Sequence, residues 1–86
     1  MCRIVGYEFI DYVDKKSNER KQYYLIHIIE ELNKNDIKKK GCSAYSLFAD
    51  VETFQKLQIG DIYEKELNCE IFYKKGGKSL ASIGIL

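Results

Sequence analysis

Two long runs of β-branched and aromatic residues flank a short polar stretch, and this pattern constrains the fold more than any other in the chain. Arg3 to Asp14 reads RIVGYEFIDYVD, and about Arg20 to Glu30 reads RKQYYLIHIIE. Val, Ile, Tyr and Phe suit the pleated, half-buried surface of a strand. The five residues between the runs, KKSNE, are turn formers and solvated charges. The pattern predicts a long β-hairpin. The 86-residue chain contains no proline, so no position in either arm is denied its ladder hydrogen bond on that account. Strict alternation nevertheless fails in the first arm, where both faces carry apolar groups. Gly6 accounts for this, because a glycine inside a strand marks a bulge or bend that switches the facing pattern part-way.

Further along, Glu31–Gly41 is a charged, Asn-rich stretch that reads as a mobile loop. A third strand is predicted over about Cys42 to Ala49. The period then changes. Asp50 is a good N-cap, Glu52 lies in the first turn where the helix dipole favours an acid, and Val51, Phe54 and Leu57 can form one apolar stripe. One short helix is expected, ending near Gly60, with Ile59–Asp61 resetting the chain. A fourth strand is predicted from about Tyr63 to Lys75, where Leu67, Cys69, Ile71 and Tyr73 alternate with Glu66, Asn68, Glu70 and Phe72. The Gly-Gly of KKGGK supplies the positive-φ positions of a tight hairpin, and a fifth strand starts at Ser79. The fold class is therefore mainly β, as a single domain over residues 1–86: a small five-stranded OB-like barrel, in the order β-β-β-α-β-β, with one short helix between strands three and four. An SH3-type barrel and a flat meander with the helix packed across it are the rival architectures.

Composition narrows the function by exclusion. The net charge is +1, but it is segregated: residues 50–73 hold six acidic and two basic groups, and residues 74–86 hold three basic groups and no acid. The acidic stretch is expected on the helix side and on the outer face of strand four. Cys2, Cys42 and Cys69 are odd in number and show no CxxC spacing, which predicts reduced thiols rather than disulfides or a zinc site. No apolar run reaches transmembrane length and the N-terminus lacks a signal-peptide core, so a cytoplasmic protein with no membrane partner is expected. There is no P-loop or dinucleotide fingerprint. His27 stands between Ile26 and Ile28 with no acid beside it to orient it, and Glu64, Glu66 and Glu70 read as a solvated strand face. The expectation is no enzyme, no metal and no cofactor.

What remains is a constellation of rings and bases. Seven tyrosines in so small a chain are hard to bury, because each buried hydroxyl needs a hydrogen-bond partner. Several are expected at the surface beside cations: Tyr12 near Lys15 and Lys16, Tyr23 after Arg20 and Lys21, and Tyr73 before Lys74, Lys75 and Lys78. In an OB-like barrel the connections between strands one and two and between strands four and five flank the ligand face, and here both are basic. Exposed rings beside positive charge suit sequence-tolerant binding of single strands, with bases stacked on the rings and lysines following the phosphates. Lysine-rich turns also serve to solubilise a β protein and blunt its edges.

In size, element order and the placement of Tyr and Lys, the chain resembles the small OB-fold single-stranded DNA-binding, helix-destabilising proteins of phages and mobile elements. That resemblance implies single-stranded nucleic acid as partner and a homodimer as assembly. The chain departs from bacterial single-strand-binding proteins by ending in SLASIGIL instead of an acidic tail, which puts tail-mediated recruitment of replication proteins in doubt. The alternative is a phage- or mobile-element-encoded adaptor or inhibitor that binds a host protein and no nucleic acid, since tyrosine is enriched at interfaces. A structural homo-oligomer built through the apolar last strand is a further alternative.

Overall fold

The computed structural model describes residues 2–32 and 35–86. Five strands, β1 (Cys2–Val13), β2 (Arg20–Glu31), β3 (Cys42–Asp50), β4 (Asn68–Tyr73) and β5 (Leu80–Ile85), form one antiparallel sheet in the order β3-β2-β1-β4-β5. Two short helices, α1 (Val51–Lys56) and α2 (Ile59–Glu64), connect β3 to β4. The ladders of β2 with β1 and with β3 run for most of their length, whereas β1 meets β4 only at Cys2–Cys69 and Arg3–Asn68. The two edges of the sheet approach each other, and Phe48 of β3 makes an isolated parallel bridge to Ser79, just ahead of β5. No ladder follows it, and the sheet is open.

The register of β1 on β2 shifts between Ile4 and Gly6. The glycine therefore marks a bulge, and it explains why the first strand breaks its alternation. Ahead of the bulge Cys2 and Ile4 point into the core; beyond it the odd-numbered residues Tyr7 and Phe9 take over that face, opposite Ile26 and Tyr24. The core joins Cys2, Ile4, Ile26, Ile28, Leu47, Ala49, Cys69 and Leu80 of the sheet to Ile59 and Ile62 of α2. Each fully buried isoleucine contributes about 2–3 kcal/mol through the area it removes from water. Tyr24 stacks on Phe54 of α1 at 3.7 Å, and Tyr7 meets both Phe54 and Tyr63 edge-on.

Two hairpin turns follow their chemistry. In the first, the Asp14 carboxylate accepts from the Lys16 N–H at 2.8 Å and Asn18 takes a left-handed conformation. In the second, Gly76 and Gly77 both have positive φ. Leu32 N–H donates to the Gly41 carbonyl and closes the neck of the connection expected over 31–41. Asn33 and Lys34 within it lie outside the described residues.

The β3–β4 connection departs from the sequence reading. Asp50 caps α1 as expected, its carboxylate accepting from the Thr53 N–H at 2.7 Å. A second helix then occupies the stretch read as a reset and as the start of strand four, so β4 begins at Asn68 and Tyr63 is helical. The break falls at Gln58, which takes the left-handed conformation usually left to glycine. Gly60 lies inside α2 instead, where its bare Cα faces the Tyr7 hydroxyl and the Phe54 ring. Burial of Ile59 and Ile62 holds this helix in place, and tertiary packing overrides the local stop signal.

Candidate functional site

Directly paired residues of an antiparallel ladder share a face, so the register sorts the candidate residues into two groups. On the outer face of β1–β2–β3 the sheet carries successive cross-strand rows. Tyr12 lies opposite Lys21; Ile10, Tyr23 and Asp50 form the next row; Glu8, Leu25 and Phe48 the next; then Gly6, His27 and Ser46. Tyr12 meets Tyr23 edge-on at 6.3 Å, and Tyr23 meets Phe48 at 5.4 Å. The three rings form a continuous track. Tyr12 is 44 % and Phe48 45 % exposed, so ring surface is open to solvent along it.

The two basic hairpins lie at opposite flanks of this track. The Lys78 carbonyl accepts from the Phe48 N–H at 3.0 Å, which sets the KKGGK turn directly against the edge of β3. Lys74 reaches across to Asp50 at 3.7 Å, beside Tyr23. Lys15 and Lys16 crown the other hairpin, a few residues beyond Tyr12. Among the described residues Lys15, Lys16, Lys75 and Lys78 make no ion pair with a carboxylate and are exposed.

Other expected cations are already engaged. Arg20 grips the Asp11 carboxylate with two hydrogen bonds, of 2.6 and 3.0 Å, and both residues project from the face opposite the ring track. The guanidinium holds the Asp11 carboxyl below its ordinary value. Lys21 pairs with Asp14 at 3.4 Å, and that carboxyl is held down first by the Lys16 N–H and then by Lys21.

Tyr73 also lies apart. Its hydroxyl donates to the Tyr45 hydroxyl at 2.9 Å, and it lines an open depression of about 510 Å³ with Cys2, Cys69 and Ile71. Burial, then the bonds to Tyr73 and Cys2, push the Tyr45 hydroxyl to titrate well above the ordinary tyrosine value. The structure thus brings together Tyr12, Tyr23, Lys21, Lys74 and Lys78, with Lys15, Lys16 and Lys75 on the flanks, and leaves Arg20 and Tyr73 on the other side.

No protein-family model matches this chain, and no curated protein or solved structure matches it.

Two features of this face were not legible as site residues. Phe48 is the end ring of the track, next to Tyr23, yet only the alternation of Leu47 and Ala49 inward hinted that it faces out. His27 has the acid that its sequence neighbours lack: Nε2 lies 2.9 Å from Glu8 Oε1, and Nδ1 lies 2.8 Å from the Ser46 hydroxyl. Both partners come from adjacent strands and become neighbours only through the register. Among the described residues no cluster of His, Cys, Asp and Glu is arranged to hold a metal ion, and no helix is long and apolar enough to cross a membrane. The three cysteines are free, with Cys2 and Cys69 buried and Cys42 exposed.

Proposed function

We propose that this protein binds single-stranded nucleic acid, DNA in the first instance, on the outer face of β1–β2–β3, and that its sheet is an OB-like barrel left partly open. The observation that carries the reading is the Tyr12–Tyr23–Phe48 track, its two end rings exposed and Tyr23 half-buried, between two lysine-bearing hairpins. Bases stack on such rings for about 1–3 kcal/mol each, with little regard to sequence, while unpaired lysines neutralise phosphates. The edge-to-edge approach of β3 and β5 at Phe48 and Ser79 supports the barrel, since a five-stranded Greek-key sheet of this kind closes only in part.

The test is fluorescence anisotropy with a labelled homothymidine strand. Binding is expected at low salt, and log K should fall linearly with log salt at roughly 0.7 per neutralised phosphate. Replacing Lys75 and Lys78 by Gln should flatten that slope by about 0.7 for each phosphate no longer neutralised. Absence of binding to any single strand at low salt overturns the proposal. A protein-interaction module is the second reading, and the pairing of Arg20, Lys21 and Lys74 with carboxylates favours it by leaving fewer free cations. A stoichiometric protein partner in a preparation free of nucleic acid would decide for that reading.

A further inference from the structure

The Glu8–His27–Ser46 chain lies on the proposed binding face, one row from Phe48, and its hydrogen-bond polarity is determined by chemistry. An ionised carboxylate only accepts, so His27 Nε2 must donate to Glu8. In the neutral imidazole the other nitrogen accepts, so the Ser46 hydroxyl donates to Nδ1. Both hydrogens of the chain are consumed internally. What it offers outward is acceptors alone: the second oxygen of Glu8, whose side chain is 55 % exposed, and the lone pairs of Ser46 Oγ. The ring cannot readily swing away, because it is held at both nitrogens and lies over Gly6, where an added Cβ would stand 3.5 Å from His27 Cδ2.

An acceptor-only, anionic cluster repels phosphate, so in the middle of a strand-binding face its complement is a base edge rich in donors. Leu25 forms the floor between Glu8 and Phe48, and two strand spacings of about 4.8 Å separate those two side chains, within the reach of one nucleotide. Among the four bases only guanine presents two adjacent donors, N1–H and the N2 amino group, on its Watson–Crick edge. Thymine flanks its one donor with two acceptors, adenine sets one donor beside an acceptor, and cytosine offers one amino group. We infer that Glu8, oriented by His27 and Ser46, reads a guanine placed on the Phe48 track, giving the protein a base preference at one position of an otherwise tolerant site. This inference rests on the nucleic-acid reading above.

The experiment compares homothymidine strands carrying a single central guanine, inosine, adenine or cytosine, by anisotropy at about pH 8. The guanine strand should bind about tenfold tighter than the homothymidine strand, and inosine, which lacks the N2 amino group, about threefold tighter. Glu8→Gln should bring the guanine-to-thymine ratio to within about twofold of unity. The inosine comparison needs no variant and stands even if Glu8→Gln folds poorly. Equal affinity for all strands, or a guanine preference that Glu8→Gln leaves intact, overturns the inference while leaving single-strand binding in place. No binding to any strand removes both.

Discussion

At the scale of single residues, the two faces of one strand separate tyrosines that composition treats alike. Tyr23 points outward into the ring track, while Tyr24, its neighbour in sequence, stacks on Phe54 over the core. Tyr73 is exposed, yet its hydroxyl is committed to Tyr45 on the far side of the sheet. Alanine at Tyr23 or Phe48 should therefore cost about 1–3 kcal/mol of single-strand affinity, the worth of one stacked base. Alanine at Tyr73 should leave that affinity within about twofold, because no ring of the track touches it. Titrations of the three variants against one oligonucleotide check this ordering, and a larger loss at Tyr73 than at Phe48 would displace the site from this face.

At the scale of elements, the β3–β4 connection shows how packing outranks local signals. Gly60 reads as a helix stop, but α2 runs through it because Ile59 and Ile62 bury themselves against the sheet. A Cβ at position 60 would stand 3.7 Å from the Tyr7 hydroxyl and 3.9 Å from Phe54, ordinary packing distances. Glycine in a helix interior costs up to about 1 kcal/mol relative to alanine. Gly60→Ala is accordingly expected to stabilise the protein by some part of that amount, seen as a higher urea midpoint with an unchanged slope. A lowered midpoint would mean that the glycine contributes something other than backbone freedom at this point of α2. At Gly77, where φ is +73°, the same substitution should destabilise by about 1 kcal/mol, since an L side chain is strained in that region.

At the scale of the whole molecule, near-neutral net charge hides a set of carboxylates engaged at the surface. Asp11, Asp14 and Asp50 all titrate below their ordinary value of 3.8, held down respectively by Arg20, by the Lys16 N–H and by the Thr53 N–H. A carboxyl with a depressed folded-state pKa binds fewer protons folded than unfolded. Its contribution is present above pH 3.8 and is lost as pH falls from there through the folded-state value. Thermal midpoints should hold steady from about pH 7 to about pH 5 and drop between about pH 4 and pH 2. Asp50→Asn should reduce that drop. All three groups are solvent-screened, so each share is small and added salt should shrink it. An acid transition unaltered by both changes would place its cause elsewhere.

The hairpins, the Gly6 bulge, the Asp50 cap and the inward alternation of Cys69 and Ile71 were legible because each follows from chemistry local to a few residues: β-branching, a missing Cβ, a carboxylate near free N–H groups. The basic turns were legible for the same reason. The stretch from Gln58 to Leu67 was not, since its helix depends on what Ile59 and Ile62 meet across the core. Nor were the faces of Tyr73 and Arg20, or the acid of His27. Sequence alone determined where β1, β2, β3 and β5 extend and where the two hairpins turn. Tertiary structure decided the register, and register determines which side chains share a face. A pairing such as Glu8 with His27, nineteen positions apart, exists only once β1 and β2 have paired in this register.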